Sequence, residues 1–329
     1  MDHPDKPARD RISIVVLTHN RPAELARTLQ HLAALPERPH VIVVDNASTP
    51  PVTPEQVRGI PGLADARLVR CPINEGAAGR NRGVALVDTP YVAFCDDDTW
   101  WSPGSLATAA DLLDADPRVM ALSARVLVGP DNRFDPACEA MARSPVAPPP
   151  GVPLPGPPLV SFMAGAVVMR TAAFRAVGGY QPRLFLGAEE VLMAFDMAAR
   201  GGWIVYAPQV VTHHHPSVAR DAVQRQLTTL RNRLWIPWLR LPLRWAWDES
   251  RVVLRQARAA GMAWPVLRAA LGGLPWVLAQ RQPVPREVLR RWLAVYRPHA
   301  VPAPAAPAYA PGTAAGAGPV PHPLNNRPR

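Results

Sequence analysis

Three adjacent aspartates, Asp96, Asp97 and Asp98, are the residues of this 329-residue sequence whose type and spacing most clearly suggest chemistry. They follow the apolar run Tyr91 to Cys95. Adjacent carboxylates repel one another, and a cation would relieve that repulsion. Hard divalent cations such as Mg²⁺ bind carboxylate and phosphate oxygens together, which suits a diphosphate ligand. The alternative interpretation is a solvated turn that starts a helix, and the triplet alone leaves both open.

Two further stretches contain residues that could contact a ligand. Asp45 follows the apolar run Val41 to Val44, where its carboxylate could face a base or a ribose. An aspartate in an ordinary turn is the other interpretation of that position. The segment Asn74 to Gly83 (NEGAAGRNRG) has small residues that allow close approach and arginines that could pair with phosphate. A helix with small packing residues would explain the same segment.

The elements that must position these residues alternate between apolar runs and helical patterns. Ile12 to Leu17 reads as a buried strand, and leucines recur at helical spacing after Pro22. The other predicted elements of this half are strands at Val41 to Val44, Ala66 to Val69 and Tyr91 to Cys95, and helices at Glu75 to Val87 and from Ser102, as N-cap, through Leu113. This order predicts a mostly parallel α/β sheet, whose ligands bind beyond the carboxyl ends of the strands.

A proline-rich loop, Ser144 to Pro158, separates this half from a shorter second set of predicted elements. These are a strand at Phe162 to Arg170, a helix at Val191 to Arg200 and a strand at Trp203 to Tyr206. Three histidines, His213 to His215, come soon after the last of these strands.

Six segments in a fixed order make the sequence similar to the family 2 glycosyltransferases of the GT-A fold. They lie within residues 11–217 and read SIVVLTHNRP, VVDNAS, NEGAAGRNRG, FCDDDTW, FMAGAVVMR and FRAVGGYQPRLFLGAEEV. The resemblance implies an α/β, Rossmann-like sheet that binds a nucleotide sugar, with helices on both faces.

The resemblance also implies roles for individual residues on the donor side. The first loop and Asp45 would hold the nucleoside, and Arg80 would lie near the diphosphate or the base. Asp96 and Asp98 would form the DxD pair of the family, with Asp98 the direct ligand of Mn²⁺ or Mg²⁺ and Asp96 also facing the ribose. The nucleotide-sugar-binding residues implied in this way are Thr18, Asn20, Arg21, Asp45, Arg80, Asp96 and Asp97.

The catalytic base and a histidine ligand are implied by the same resemblance. Inverting members of the family place a basic carboxylate at the start of a late helix, and here that position reads Gly187-Ala188-Glu189-Glu190. Glu190 aligns best with the base that removes the proton of the acceptor hydroxyl, and Glu189 would orient it or touch the acceptor. The alternative is an acidic helix N-terminus favoured by the helix dipole. His213 or His214 would complete the metal site.

Charge and composition divide the chain unevenly. Residues 220–329 contain 17 arginines and four acidic residues, a net charge of +13, which leaves −3 for residues 1–219. We therefore predict a flexible N-terminus at 1–10, a GT-A domain at 11–217, a basic helical appendix at 218–300 and a disordered Pro/Ala-rich tail at 301–329. The polar N-terminus and the lack of an apolar run of about 20 residues predict a cytoplasmic protein.

Seven of the ten tryptophans lie beyond residue 230 and interleave with arginines, as in RNRLWIPWLRLPLRWAW. Such a region could bind the inner face of an anionic membrane, with tryptophan at the interface, or pack as a helical subdomain on the catalytic domain. Binding of single-stranded nucleic acid is the least favoured interpretation.

The sequence predicts an inverting, metal-dependent glycosyltransferase that acts in cell-envelope glycan or glycolipid synthesis. The donor would be a UDP- or dTDP-linked sugar, and the acceptor a glycan or a lipid-linked sugar. A nucleotidyltransferase is the alternative enzyme, and it would release pyrophosphate instead of a nucleoside diphosphate. An inactive GT-A-like protein that binds a membrane surface is the non-enzymatic alternative.

Overall fold

A computed structural model describes residues 6–151, 153–216 and 222–300. Within these ranges the strands form one mixed sheet in the order β3-β2-β1-β4-β9-β6-β10-β5, with β7 paired to β6 and β8 to β10. The strands are β1 (Ile12–Thr18), β2 (His40–Asp45), β3 (Arg67–Arg70), β4 (Tyr91–Asp96), β5 (Thr99–Trp101), β6 (Val119–Val128), β7 (Arg133–Phe134), β8 (Pro158–Leu159), β9 (Val167–Arg170) and β10 (Trp203–His214).

Helices cover both faces of this sheet and continue beyond it toward the C terminus. In the sheet region they are α1 (Ala8–Arg11), α2 (Pro22–Ala33), α3 (Pro54–Arg58), α4 (Gly79–Val84), α5 (Ser105–Ala115), α6 (Pro136–Ala142), α7 (Thr171–Ala176) and α8 (Glu189–Ala199). The C-terminal helices are α9 (Ala222–Arg240), α10 (Leu243–Ala259), α11 (Ala263–Gly272), α12 (Leu274–Ala279) and α13 (Arg286–Tyr296).

Alternation along the parallel strands gives the sheet two apolar faces. Ile14 and Val16 of β1 pack in a cluster with α2 and α5, whereas Val15 packs on the opposite face with α4, α7 and α8. Side chains of a strand point alternately to the two sides, so a continuous apolar run is what a strand covered on both faces requires. The predicted α/β sheet with helices on both faces is confirmed.

The second half of the sheet departs from the parallel arrangement that we predicted. β4 and β6 both pair antiparallel with β9, which lies between them, while β6 pairs parallel with β10. The strand predicted at Phe162 to Arg170 begins only at Val167, and β10 continues to His214. Two of the three histidines therefore lie within a strand, and this part of the sheet is mixed.

The start of α5 also differs from the prediction. We expected Ser102 to be its N-cap, but the helix begins at Ser105 after Gly104, which has a left-handed φ of 81°. Glycine adopts this conformation without steric cost, so the chain can turn there into the helix. The Ser102 hydroxyl instead lies 2.9 Å from Nε2 of His213.

The C-terminal helices pack against the sheet domain through a shared apolar core. Leu192 and Phe195 of α8 lie in one cluster with Trp235 of α9 and Trp292 of α13. Trp238, Trp245 and Trp276 pack at the edge of this cluster, whereas Trp247 and Trp264 are exposed. Five of the seven C-terminal tryptophans thus contribute to helix packing. Among the described residues, no helix is both long enough and apolar enough to cross a bilayer.

Candidate active site

A cleft of about 580 Å³ lies beyond the carboxyl ends of β1 and β4. These two strands pair in parallel, with Leu17 opposite Asp96, so the residues after both strand ends meet at one edge of the sheet. Residues from β1, β4, the loop before α8, β10 and α9 line the cleft. This is where ligands of open α/β sheets bind. A smaller cavity of about 220 Å³ contains Ser13 and Thr89 at the opposite end of the parallel strands.

The side chain of Asp97, which follows β4, forms hydrogen bonds with residues at and just after the end of β1. Its carboxylate accepts hydrogen bonds from the Thr18 hydroxyl at 2.9 Å and from Arg21 at 3.1 Å. Its carbonyl oxygen accepts a hydrogen bond from the hydroxyl of Thr28 in α2 at 2.8 Å. Burial raises the pKa of Asp97 to about 6, although Arg21 acts in the opposite direction. These contacts make Asp97 the residue of the acidic run that fixes the loop after β4.

Asp96 and Arg80 form an ion pair on the floor of the cleft. The Arg80 guanidinium is buried and lies over the ring of Tyr180, 5.6 Å from its centroid. Gly165 approaches the other side of Asp96, since a Cβ at Gly165 would lie 2.6 Å from Oδ2. A side chain at this position would displace the Asp96 carboxylate. The pair places the Arg80 guanidinium next to the acidic run.

Asp98 and His214 come together because β5 pairs with β10. His214 lies opposite Thr99 in this antiparallel pairing, so the residue before Thr99 reaches the imidazole. Oδ1 of Asp98 is 3.6 Å from Nε2 of His214, and both residues line the cleft. The Asp98 carbonyl also accepts a hydrogen bond from the His215 amide at 2.8 Å. A carboxylate and an imidazole at this spacing could share one divalent cation.

His213, the other histidine that we predicted as a ligand, faces away from the cleft lining. Its Nε2 contacts Ser102 and its Nδ1 contacts Oδ1 of Asn132, each at 2.9 Å. Its ring lies 5.7 Å from the ring of Trp100 and nearly parallel to it. Since both ring nitrogens are engaged, the geometry favours His214 over His213 as a metal ligand.

The donor set of the cleft fits a cation that also binds its substrate. Within the described ranges, no group of three or more His, Cys, Asp or Glu side chains could hold a metal ion alone. Mg²⁺ is commonly held by one or two carboxylates together with substrate phosphates. Asp98 and His214, with Asp96 nearby, match that incomplete set.

Glu189 and Glu190 begin α8 and face the same cleft. Glu189 is buried, and its Oε2 has no hydrogen-bond partner among the described residues. Burial raises the pKa of Glu189. Burial and the charge of Glu189 raise the pKa of the partly exposed Glu190 to about 7. A carboxylate with a pKa near neutrality is suited to accept a proton from a substrate.

Asp45 and Asn20 lie beside the cleft and are not among its lining residues. The buried Asp45 carboxylate accepts hydrogen bonds from the amides of Ser48 and Val52 and pairs with Arg70. Burial alone would raise the pKa of Asp45, but these hydrogen bonds and the charge of Arg70 lower it. Asn20 has a φ of 57°, and its Oδ1 accepts a hydrogen bond from the amide of Thr49 at 2.7 Å.

Several lining residues were not predicted as site residues. Asn46 holds the glycine-rich segment, because its Nδ2 donates to Asn74 at 2.9 Å and to the carbonyl of Gly76 at 3.0 Å. Its place in VVDNAS is the sequence signal that would have identified it. Gln224, Arg225 and Thr228 of α9 also line the cleft. They lie in the region that we predicted as an appendix, and no local motif marks them.

The fold and the site together define a GT-A-type domain, with a parallel half-sheet and an acidic run at its edge. The family model of glycosyl transferase family 2 matches residues 13–178, about half of the chain, and the protein belongs to this family.

Two curated relatives and one solved structure are similar to the chain. The pre-mycofactocin glycosyltransferase of Mycobacterium tuberculosis (strain CDC 1551 / Oshkosh) is 29% identical over 235 residues, which cover 68% of this chain and 47% of the relative. The chain thus spans about half the length of that relative. The N-acetylglucosaminyl-diphospho-decaprenol L-rhamnosyltransferase of the same strain is 27% identical over 278 residues, 72% of this chain and 89% of the relative. The mannosyltransferase PcManGT from Pyrobaculum calidifontis, in complex with GDP-Man and Mn²⁺, matches with a TM-score of 0.52 and 18% identity over 91% of this chain and 90% of that one.

Proposed function

We propose that the protein transfers a sugar from a nucleotide-sugar donor to an acceptor hydroxyl. One observation carries this proposal: the cleft brings the acidic run Asp96 to Asp98 to the same space as the carboxylate pair Glu189 and Glu190. Arg80 is close to both groups, since it pairs with Asp96 and its charge also acts on Glu189. One group would bind the diphosphate of the donor and the other would act on the acceptor.

The donor side of the cleft would hold a nucleoside diphosphate together with Mn²⁺ or Mg²⁺. Asp98 and His214 would bind the cation, and Arg21 and Arg80 would face the phosphates. When bound, the cation would stabilise the negative charge that develops on the departing diphosphate. The structural relative in complex with GDP-Man and Mn²⁺ supports this class of ligand. We propose UDP or dTDP as the nucleotide. Because Asp45 and Asn20 lie beside the cleft, we assign the nucleoside to the part of the cleft next to these two residues.

The chemical step would be a single displacement with inversion. The acceptor oxygen forms a bond to the anomeric carbon as the bond between that carbon and the phosphate oxygen breaks. Glu190 takes the proton of the acceptor hydroxyl, and the nucleoside diphosphate leaves with the bonding electrons. The raised pKa of Glu190 suits this role, since the carboxylate must hold the proton until the product departs. Glu189 would orient Glu190 or contact the acceptor.

The acceptor is proposed to be a glycan or a lipid-linked sugar of the cell envelope. The relative named as a rhamnosyltransferase of N-acetylglucosaminyl-diphospho-decaprenol supports this choice. Exposed Arg225 of α9 lies at the cleft, where its charge acts on Glu190. A cation next to the base would suit an acceptor that carries phosphate.

A screen of nucleotide sugars tests the proposed reaction. We expect one UDP- or dTDP-sugar to raise the melting temperature in the presence of Mn²⁺ or Mg²⁺, because a ligand that binds only the folded state stabilises it. Slow hydrolysis of the same donor should release the nucleoside diphosphate. Release of pyrophosphate would indicate a nucleotidyltransferase instead. If no donor stabilises the protein and none is turned over, an enzymatic function is contradicted.

We further propose that the protein is cytoplasmic and attaches peripherally to the inner face of the membrane through α11 and α12. Trp264, Leu271, Leu274 and Leu278 are exposed along these two helices. Their opposite side is also apolar, since Val266 and Val277 are buried against the other C-terminal helices. Residues 250–286 contain six arginines and no acidic residue. An apolar strip with basic surroundings suits an interface with anionic lipid.

Vesicle binding tests this attachment. We expect sedimentation with anionic phosphatidylglycerol vesicles, weaker binding to neutral phosphatidylcholine vesicles, and release by salt, because salt screens exposed charges beyond roughly 10 Å at 0.1 M. The double variant Trp264→Ala/Leu278→Ala should weaken binding roughly tenfold or more, since each side chain loses apolar burial. Ile73→Ala, at an equally exposed apolar residue of the sheet domain, is the matched control. Equal binding of both variants would contradict the assignment of this face.

A further inference from the structure

The loop that leads into the carboxylate pair has an unusual backbone. Phe185 has φ 62° and ψ −76°, Gly187 has φ 92°, and Ala188 has φ 65° and ψ 9°. Positive φ values are unfavourable for residues with a Cβ, so Phe185 and Ala188 need support from their surroundings. The amide of Leu186 donates to the carbonyl of Leu184 at 2.8 Å, which closes a tight turn around Phe185. The next residue after this loop is Glu189.

One side chain from the C-terminal helices holds the carbonyls of this loop. Nδ2 of Asn232, in α9, donates to the carbonyls of Leu184 at 2.8 Å, Leu186 at 3.3 Å and Gly187 at 2.6 Å. Asn232 is fully buried. These three carbonyls converge on one point only while the turn keeps its conformation. The amide of Asn232 therefore stabilises the unfavourable backbone directly.

The orientation of the Asn232 amide is itself fixed. Its Oδ1 accepts two hydrogen bonds from the guanidinium of Arg231, at 3.1 and 2.8 Å. The same guanidinium donates to the carbonyls of Arg183 and Leu184, at 3.2 and 3.0 Å. Since Oδ1 faces a cation, Nδ2 must face the loop. Arg231 and Asn232 thus form one connected group of donors against residues 183–187.

The loop is also confined by close packing on both sides. A Cβ at Gly187 would collide with the hydroxyl of Thr229, one turn before Asn232 on α9. On the opposite side, the amide of Ala77 in the glycine-rich segment donates to the carbonyl of Phe185 at 2.6 Å. The loop is thus held between α9 and the segment that contains Arg80. A displacement of α9 would be transmitted to the first turn of α8.

We propose that Asn232 is a positioning residue for the carboxylate pair, and that it acts through the backbone of residues 184–188. This inference rests on the proposed function, because it assigns Asn232 a task in sugar transfer. Glu190 follows the loop by two residues, so a change in the loop redirects its carboxylate toward or away from the acceptor. A misplacement of about 1 Å at a reacting group can reduce turnover by roughly 100-fold.

Asn232→Ala tests the role of the amide, with Ser250→Ala as the matched control. Ser250 is also buried in the C-terminal helices and accepts a hydrogen bond from Nε1 of Trp238 at 3.0 Å, but it has no hydrogen bond to the loop. Both variants should melt at a lower temperature. Only Asn232→Ala should speed amide hydrogen exchange in peptides covering 184–191.

The kinetic readout separates positioning from stability. With the donor found by the nucleotide-sugar screen, Asn232→Ala should lower kcat by roughly 100-fold while KM for the donor and the affinity for UDP with Mn²⁺ stay unchanged. Asn232→Gln keeps the donor group and should recover part of this kcat. Wild-type kcat in Asn232→Ala, or an equal loss in Ser250→Ala, would overturn the proposal. A wild-type protein without nucleotide binding or turnover would instead overturn the proposed function, while hydrogen exchange would still report whether Asn232 holds the loop.

Discussion

Glu190→Gln is expected to reduce sugar transfer by roughly 10²–10⁴-fold, the usual contribution of a general base. The substitution removes the ability to accept a proton and leaves the volume of the side chain almost unchanged. Glu190 lies in the first turn of α8 and is not part of the acidic run that ends β4, so binding of UDP with Mn²⁺ should persist. Calorimetric titration and a transfer or donor-hydrolysis assay measure the two properties separately.

Glu189→Gln is the comparison that identifies the base. Glu189 is more deeply buried than Glu190, and its charge contributes to the raised pKa of its neighbour. We expect this variant to retain more activity than Glu190→Gln. The reverse result would assign the base to Glu189. Equal activity of both variants and the wild type would exclude a proton-accepting role for the pair.

The pH dependence of kcat/KM provides a second measurement of the base. Glu190 must be deprotonated to accept the proton, and its pKa is raised to about 7. The value of kcat/KM should therefore rise with pH through a midpoint near that pKa and reach a plateau above it. Well below the midpoint, kcat/KM should fall tenfold for each unit of decreasing pH. The residual activity of Glu190→Gln should not show this rise with pH. A flat profile between pH 5 and 8 in the wild type would contradict the assignment.

Asp98→Ala should abolish the gain in nucleotide affinity that Mn²⁺ provides. The carboxylate is the proposed direct ligand, and loss of even an indirect partner of a metal site costs roughly 10–100-fold in affinity or activity. Titration of UDP with and without Mn²⁺ measures the gain. Circular dichroism and the melting temperature show whether the fold is intact. Metal-linked affinity equal to that of the wild type would exclude Asp98 as the ligand.

The neighbouring histidines provide a matched pair for the same experiment. His214 lies 3.6 Å from Asp98, whereas both ring nitrogens of His213 contact Ser102 and Asn132. We expect His214→Ala to reduce the metal-linked affinity and His213→Ala to leave it unchanged. An effect of His213→Ala alone would reverse our choice between them.

The sequence was sufficient to predict the parallel half of the sheet. There β1, β2 and β4 are short apolar runs covered on both faces, and Leu25, Leu29 and Leu32 mark the helix between the first two strands. The strand directions of the mixed half could not be predicted in the same way, because β9 lies antiparallel between β4 and β6 and its partners are distant in sequence. Strand direction depends on these long-range pairings, and local periodicity contains no information about them.

The candidate site was predictable where residues that share a motif also share a strand end. Asp96 and Asp98 reach the cleft together because both belong to the acidic run at the carboxyl end of β4, and Arg80 of α4 lines the same cleft. Arg225 and Asn232 could not be found in this way. They reach the cleft and its loop only through the packing of α9, which the sequence presents as one basic amphipathic helix among several.

The close fit between Gly187 and Thr229 has a consequence for the design of chimaeric enzymes. An exchange of donor or acceptor preference between family members would ordinarily be attempted by joining one sheet domain to another set of C-terminal helices near residue 217. Such a joint takes the loop before Glu189 and Glu190 from one parent and α9 from the other, and a bulkier residue on the incoming helix would collide with the loop backbone. Recombination that keeps residues 183–190 and 225–232 from the same parent should retain activity more often than a joint between them.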